Sequence, residues 1–187
     1  KALTQGVVPS GGKYLPRPSQ LNPTTLQFYC TVVRAAHACW RYTMFGQMLR
    51  PPEIRVPRVV ASYVRFLLKD GRHEADPTQR HEVTDAAVQH SAWRAEDGSL
   101  AWIFANVSEQ PVRFDVELAA PDGPGGTWDI TASADGRRRP RQRGVRLPRR
   151  TRLSLAPLSV TVLEATPCSA ATAGGPVAVP TPAASPT

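Results

Sequence analysis

Acidic side chains are the residues from which this sequence could build a hydrolytic site. Hydrolysis of a glycosidic bond uses two carboxyl groups about 5 to 10 Å apart across the sugar. The candidates are Glu53, which follows a proline pair, and the adjacent Glu96 and Asp97. Asp97 precedes Gly98, and Asp-Gly is a strong hairpin signal because the turn needs positive φ. We therefore interpret Asp97 as a turn residue and assign no catalytic residue.

Two histidines could contribute to a metal site, since His73 and His81 have acidic residues close to them in the sequence. Their spacing matches no standard zinc-ligand pattern, and the segment around them has the composition of a loop. The sequence also lacks a Gly-x-Ser-x-Gly elbow and a phosphate-binding glycine loop. We therefore predict neither a metal nor a cofactor. The acidic neighbours are Glu74, Asp76 and Glu82.

The three cysteines, Cys30, Cys39 and Cys168, show neither disulfide-framework nor metal-ligand spacing. Cys30 and Cys39 are nine residues apart on one predicted helix, so at about 100° per residue they face opposite sides. Two such thiols cannot bridge within one helix. We expect them to be buried free thiols.

Tryptophan side chains offer a first binding function. Exposed rings stack on sugars, so the chain could act as a carbohydrate-binding module if its rings lie on the surface. Packing in a core is the more common fate of such residues, and exposure decides between the two. The candidate sugar contacts are Trp93, Trp102 and Trp128.

Arginine side chains offer a second binding function. The formal net charge is +8, and 20 of the 23 basic residues are arginine. The run from Arg137 to Arg152 could contact phosphates of a nucleic acid or another polyanion. No aromatic residues alternate with these arginines, as a single-strand binder would prefer, and the prolines in the run favour a solvated loop. The candidate polyanion contacts are Arg137, Arg138, Arg139, Arg141 and Arg143.

One long helix is predicted near the beginning of the chain. Asn22 is a good N-cap and Pro23 suits the first helical turn. Gly46 is expected to loosen the end of the helix, and Pro51 and Pro52 terminate it. Apolar residues recur at intervals of three and four, which predicts a single buried stripe. This stripe comprises Leu26, Tyr29, Val32, Val33, Ala36, Cys39, Trp40 and Met44.

From about residue 53 the pattern changes to the alternation typical of strands. Pro57 favours a strand start or an edge, and residues 69–80 are predicted to form a loop. VTDAAVQHSAWRA reads as one strand that leads to the Asp97-Gly98 turn. LAWIFANV is apolar on both faces, which places it centrally and indicates a covering neighbour outside the chain. Asn106 is expected to cap the next turn, and VRFDVEL to be the half-exposed partner of LAWIFANV.

The remaining segments complete a mainly β chain. TWDITAS is predicted as a strand, DGRRRPRQRGVRLPRR as a basic loop or hairpin, and LSLAPLSVTVLEA as a closing strand with a bulge at Ala156-Pro157. Strands of this length and spacing are typical of an antiparallel β-sandwich. We expect an irregular segment and the helix in residues 1–52, the sandwich in 53–165, and a disordered Pro/Ala/Thr-rich tail in 166–187.

Three stretches resemble known glycosidases. FYCTVVRAAHACWRYTMFGQMLRPPEI looks like the last helix of a (β/α)8 TIM barrel, with its "FG-x-MLRPP" exit. SAWRAEDGSLAWIFANVSEQPVRFDVEL resembles the β-sandwich appended to such barrels, where "W-R-x-x-D-G" leads to an apolar strand ending in "N-x-S". LSLAPLSVTVLEA resembles the closing strand of that sandwich. Over residues 20–165 the sequence is most similar to the DUF6259-type family of bacterial glycoside hydrolases.

This resemblance implies an accessory role in carbohydrate metabolism. Catalytic residues of such enzymes lie at the carboxyl ends of the barrel strands, so none is transferred to this chain. The expected partner is an N-terminal catalytic barrel of the same polypeptide, with carbohydrate second and nucleic acid less favoured. The first residue is Lys rather than Met, which suggests a fragment or a processed product. Neither a signal peptide nor an apolar run of about 18 residues is visible, and the compartment stays unassigned.

Overall fold

The architecture of the chain is that of a mainly β protein with antiparallel sheets, as predicted. The computed structural model describes residues 23–69, 72–121, 126–134 and 137–168, and it gives the backbone alone for residues 25, 62–69, 72–80, 137 and 139–141. Asn22, the predicted N-cap, lies outside the described residues. The layers are consistent with a β-sandwich that carries a helix on one side.

Two consecutive helices, α1 (Pro23–Ala38) and α2 (Trp40–Thr43), open the described chain. In the described residues ten strands follow them. Their bounds are β1 Gln47–Leu49, β2 Arg58–Lys69, β3 Arg72–Ala86, β4 Val88–Arg94, β5 Leu100–Asn106, β6 Val112–Leu118, β7 Thr127–Ala134, β8 Arg137–Arg146, β9 Arg149–Leu155 and β10 Ser159–Pro167.

Gly46 turns the chain from helix to strand, so the predicted helix ends earlier than the proline pair. Its amide donates to the carbonyl of Tyr42 at 3.0 Å. A Cβ at this position would overlap the carbonyl oxygens of Tyr42 and Arg94. Glycine is therefore required for a close approach of two backbones, rather than for loosening the helix end. Residues 47–49, predicted as helix, form β1.

Six strands form the central sheet in the spatial order β1, β4, β5, β10, β7, β8, and all neighbours are antiparallel. Strand β1 precedes the predicted boundary at residue 52, yet it pairs with β4 through contacts such as Met48 opposite Trp93. The helix side of that boundary thus shares a sheet with the strands that follow it.

Strand β5 is buried along its whole length, which confirms its central placement. On one face, Trp102 and Phe104 pack with the inward side chains of β6 and β9. On the other face, Ala101 and Ile103 pack with side chains of α1 and α2. Because the chain's own helices cover this second face, the apolar pattern of β5 does not require the neighbour outside the chain that was predicted.

Strands β6 and β9 form a second, two-stranded sheet on the first face of β5. The alternation predicted for β6 is confirmed, since its side chains are alternately buried and exposed from Val112 to Leu118. The predicted pairing with β5 is wrong, because the turn after Asn106 carries the chain to the other layer. There β6 pairs with β9, with Phe114 opposite Leu153.

The same change of layer corrects the prediction of one bulged closing strand in LSLAPLSVTVLEA. Strand β9 ends at Leu155 and belongs to the two-stranded sheet, whereas β10 begins at Ser159 and lies in the central sheet. The turn between them places Leu158 at a φ of 47°. Alternation alone did not reveal this turn, because both strands carry apolar residues at every second position.

Strands β2 and β3 pair with each other in a ribbon, and Pro57 precedes β2 as predicted. The predicted loop at residues 69–80 is wrong, since residues 72–80 belong to β3. A ribbon with two accessible faces tolerates such a polar sequence, and Val60 and Val83 are indeed exposed. VTDAAVQHSAWRA is likewise two strands, because β3 ends at Ala86 and β4 begins at Val88.

The arginine-rich segment is an edge strand rather than a loop, and it forms a hairpin with β7. Pro140 lies opposite Thr131 in this strand, and an edge is the position in a sheet that tolerates proline. At the other end of the chain, β10 extends to Pro167, so the first two residues of the predicted tail are in the sheet. Residues 169–187 lie outside the described residues.

Asn106 fastens the turn that takes the chain between the two layers, as predicted from its sequence position. Its side chain is fully buried. The Nδ2 amide donates to the carbonyls of Gln110 and Ala156, both at 2.8 Å. Its Oδ1 accepts hydrogen bonds from the Ser108 amide at 3.0 Å and hydroxyl at 2.8 Å. One side chain therefore joins the turn after β5 to the turn before β10.

We expect Asn106→Ala to lower the free energy of unfolding by about 2 kcal/mol or more, because buried backbone groups lose their partners. Urea denaturation followed by Trp fluorescence measures the change. Gln110→Ala is the matched control, since the exposed Gln110 takes part through its backbone carbonyl; its effect should stay within about 0.5 kcal/mol. Equal stability of Asn106→Ala and the wild type would contradict the bridging role.

Candidate functional site

The helix pair packs on the central sheet through one face. Ala35, Cys39 and Tyr42 are buried there against Val160 and Val162 of β10. The predicted stripe is therefore only partly right. Three of its members lie in or beside this contact, and the rest point elsewhere because the helix carries apolar residues on two opposite sides. The three members are Val32, Ala36 and Cys39.

The second apolar side, called the outer face here, lies away from the sheet. Along the helix its residues change from half-buried to exposed, and Trp40 and Met44 are 43% and 41% exposed. The patch continues past the helix end, where Phe45 is 73% and Met48 50% exposed. The outer face comprises Leu26, Tyr29, Val33, His37, Trp40, Met44, Phe45 and Met48.

Rings on the outer face contact one another. The centroids of His37 and Trp40 are 6.2 Å apart in a stacked arrangement, and those of Trp40 and Phe45 are 6.4 Å apart edge to face. These distances fall in the range of favourable aromatic pairs. Trp40 and Phe45 therefore form one exposed cluster with His37 rather than scattered surface residues, and contiguous apolar patches mark interaction sites.

An ionic network holds α2 beneath this patch. The carboxylate of Glu164 on β10, whose side chain is 11% exposed, lies 3.1 Å from Arg138 and 3.8 Å from Arg41. Arg41 also contacts Asp97 in the β4–β5 turn at 2.8 Å, and it donates to the hydroxyl of Tyr42. The network fixes the orientation of the short helix that presents Trp40.

Two groups in this region have pKa values that rule out nucleophilic or basic chemistry near neutral pH. Burial raises the pKa of the Cys39 thiol to about 12, and the charge of Glu164 contributes. Burial likewise raises the pKa of Tyr42, again with help from Glu164. Both groups stay protonated, so this cluster positions the helix and does not resemble an activated catalytic centre.

A polar cleft of about 1350 Å³ lies on the opposite side of the molecule from the helices, between the segment of residues 51–55 and the β6–β9 sheet. His90 lies in the lining, where its Nε2 is 2.8 Å from the carbonyl oxygen of Pro52 and its ring stacks on Phe104. The other lining residues are Pro51, Glu53, Ile54, Arg55, Arg113, Phe114, Asp115, Glu117, Ala119, Arg150 and Arg152.

The tryptophans predicted as sugar contacts do not form an exposed platform. Trp93 is 5% and Trp102 3% exposed. They belong to the two different core clusters on opposite faces of the sheet, and the Trp93 indole donates to the Ser91 hydroxyl at 2.8 Å. Trp128 is half-buried against the first cluster. Alternation placed these rings inward because both faces of the sheet are covered.

The arginines predicted as polyanion contacts are not gathered in one loop. Arg138 is engaged with Glu164, and Arg143 is exposed near Asp129. The side chains of Arg137, Arg139 and Arg141 lie outside the described residues. Of the five candidates, the described structure therefore leaves Arg143 as an exposed guanidinium without an ion pair.

The carboxylate, histidine and thiol candidates remain apart. Asp97 shapes its turn, since its Oδ1 accepts the Ser99 amide at 3.0 Å and Gly98 has a φ of 79°. Glu53 is exposed beside Arg50 at 3.4 Å. The side chain of His73 lies outside the description, and the described residues hold no group of three or more potential metal ligands. The thiols of Cys30, Cys39 and Cys168 are free.

Sequence reasoning missed the cleft, and it merged most of the outer face with the sheet-facing residues in one buried stripe. A signal for the outer face was present, because helix residues 26, 29, 33, 37, 40 and 44 repeat at three and four independently of the residues that contact the sheet. The cleft had no such signal, since residues 51–55 meet β6 only through tertiary packing.

The pKa of Asp97 lies below its usual range, because the Ser99 amide donates to the carboxylate and Arg41 lies beside it. A carboxyl group whose pKa is lower in the folded state stabilises the fold fully at pH values above its unfolded pKa, about 3.9. It loses this stabilisation as pH falls through its folded pKa.

We expect the free energy of unfolding to decrease below about pH 4, and Asp97→Asn to reduce that decrease. Urea denaturation at several pH values measures it, with Glu96→Gln as control; an unchanged pH profile in Asp97→Asn would contradict this.

Thiol labelling should separate the cysteines. In the native chain at mildly alkaline pH, we expect Cys39 to stay unmodified because it is buried and its pKa is raised, while the half-exposed Cys30 and Cys168 react. Mass spectrometry after digestion identifies the labelled residues, and all three should react in denaturant. Native labelling of Cys39 as fast as Cys30 would show that α2 does not stay packed on the sheet.

Comparisons with known proteins give a distant structural likeness. No protein-family model and no curated protein matches the chain. A solved structure of a GH30 endoxylanase from Clostridium papyrosolvens C71 aligns with 52% of this chain at 13% sequence identity and a TM-score of 0.29. The chain spans 24% of that enzyme's length. At these values the likeness supports no conclusion about activity. Neither described helix is long and apolar enough to span a membrane.

Proposed function

We propose that this chain is an accessory β-sandwich region of a glycoside hydrolase, and that its outer face binds the catalytic barrel of the same polypeptide. The observation that carries the proposal is the exposed ring pair of Trp40 and Phe45, with the exposed Met44 and Met48 close to it in the sequence. The sequence resemblance to DUF6259-type glycoside hydrolases supports the identity of the partner, since its barrel motif includes this helix.

A helix that is apolar on two opposite sides belongs between two layers. Here the central sheet is one layer, and the catalytic barrel would be the second layer, packed on the outer face. Full burial of one large apolar side chain stabilises by about 1.5 to 3 kcal/mol. Burial of Phe45, Met48 and Trp40 at one interface would therefore hold two covalently linked domains together, because the linkage makes their effective concentration high.

The environments of the described carboxylates favour a structural role for this chain over a catalytic one. Asp97, Asp115 and Glu164 each contact arginines, and Glu53 is exposed. A retaining or inverting pair needs one carboxyl group with a raised pKa. In the described residues the pKa values of Asp97 and Asp115 are instead lowered. The proposal therefore assigns the chemistry to the barrel.

Hydrogen exchange tests the docking. The chain should be compared with the longer polypeptide that includes the sequence encoded upstream of Lys1. We expect slower exchange in the segment of residues 40–48 in the longer polypeptide, with β2 residues near Val60 unchanged. The backbone amides of the helix residues that pack on the sheet should exchange slowly in both polypeptides. An upstream sequence without alternating strands and helices, or unchanged exchange at residues 40–48, would refute the proposal.

Substitutions on the outer face test the same surface in the isolated chain. We expect the wild type to self-associate with increasing concentration, because a contiguous apolar patch is exposed. Phe45→Ser combined with Met48→Ser should abolish this in sedimentation velocity. Val60→Ser is the matched control, since Val60 is 63% exposed but lies on the ribbon. Equal self-association of both variants would show that the outer face does not mediate self-association.

A further inference from the structure

The polar cleft has a charged floor and a mainly apolar wall. The floor is the exposed face of the two-stranded sheet, where Arg113, Asp115 and Glu117 of β6 lie beside Arg150 and Arg152 of β9. The wall is the segment of residues 51–55, which contributes two proline rings and Ile54. The cleft is open to solvent, and its volume of about 1350 Å³ leaves room for a ligand of several sugar units.

The charges of the cleft do not cancel. Asp115 is paired with Arg152 through contacts of 2.9 and 3.3 Å, and this hydrogen bonding lowers its pKa. In the described part of the chain, Arg113, Arg150 and Arg55 of the cleft make neither a hydrogen bond nor an ion pair, although the charge of Arg150 also acts on Asp115. With Asp115 neutralised, the free guanidinium groups outnumber the remaining acidic groups, and the cleft attracts anions.

The spacing of Arg113 and Arg150 favours an extended ligand. Arg113 lies opposite Ser154 and Arg150 opposite Glu117, so the two arginines are four positions apart along the strands. At about 3.4 Å per residue this separation is about 14 Å. Between the two arginines lies Asp115, whose charge Arg152 neutralises, and Glu117 lies opposite Arg150.

Carboxylates and arginines together suit a ligand rich in hydroxyl groups. A carboxylate accepts hydrogen bonds from hydroxyls, and a guanidinium donates to ring oxygens and, in bidentate fashion, to carboxylates. The proline rings of the wall offer flat C–H surfaces to the C–H faces of sugar rings. An anionic glycan meets all these features, whereas an acidic peptide offers fewer hydroxyl groups to the carboxylates of the floor.

We propose that this cleft binds an extended, carboxylate-bearing oligosaccharide, with Arg113 and Arg150 receiving its carboxylates. The site shares no residue with the outer face or with the tryptophans. It therefore holds or fails independently of the docking role.

Calorimetric titration at low salt tests the site with an oligogalacturonate, a neutral xylo-oligosaccharide of equal length and a single-stranded oligothymidylate. We expect the oligogalacturonate to bind most tightly. Arg113→Gln combined with Arg150→Gln should weaken it at least about tenfold, because the charge-assisted hydrogen bonds to its carboxylates are lost. Arg143→Gln combined with Arg146→Gln is the matched control, since both lie on β8 outside the cleft and are exposed.

Several outcomes would overturn the inference. These are no binding of the oligogalacturonate, equal weakening by the control variant, which indicates diffuse attraction, or tighter binding of the oligothymidylate, which indicates a nucleic-acid surface. Equal affinity for the neutral oligosaccharide would show that the arginines do not recognise the carboxylates of the ligand. Hydrogen exchange of the wild type with ligand gives an independent reading, and protection should map to β6 and residues 51–55.

Discussion

The fold depends on the burial of one strand on both sides. Strand β5 has no exposed face, so the chain must supply a layer for each side of the central sheet. The β6–β9 sheet covers one side and the helices cover the other. The turn fastened by Asn106 brings one of these layers into place, because it carries the chain from β5 to β6. The exposed surfaces with functional potential lie on the far sides of the same two layers.

The two layers differ in the surfaces they present. The helix layer exposes apolar residues, held in orientation by the contacts among Arg41, Glu164 and Arg138. The β6–β9 layer exposes alternating charges, held by the pair of Asp115 and Arg152. An apolar surface suits a permanent neighbour, whereas an open charged surface suits a soluble ligand. One small domain could therefore bind a covalently linked partner and a ligand at once.

Local patterns predicted the elements that depend on local physics. The burial of LAWIFANV, the alternation from Val112 to Leu118, the turn at Asp97-Gly98 and the cap at Asn106 were all visible, since each follows from apolar periodicity or turn chemistry. The partners of these strands were not visible. The polar sequence of β3 and the arginines of β8 resembled loops, because a ribbon and an edge strand are not required to have an apolar face.

The candidate sites show the same division. Periodicity predicted that tryptophans lie on strands, but their exposure depends on whether a second layer covers them, and it does for Trp93 and Trp102. Periodicity also assigned Trp40 to a buried stripe, although it is exposed, because one helix sequence carried two stripes and only one sheet was present to cover them. The cleft forms where segments that are distant in the sequence pack together, and no periodic pattern in a single sequence predicts such packing.

The position of β10 has a consequence for how the chain is made. It is the last described strand in the sequence, yet it lies between β5 and β7 in the middle of the sheet. Before the ribosome has synthesised β10, β5 and β7 cannot gain their shared neighbour, and the backbone N–H and C=O groups of their facing edges stay unpaired. Such late, non-local pairing slows folding and exposes intermediates to aggregation. The central sheet can therefore be completed only after residues 159–167 have left the ribosome.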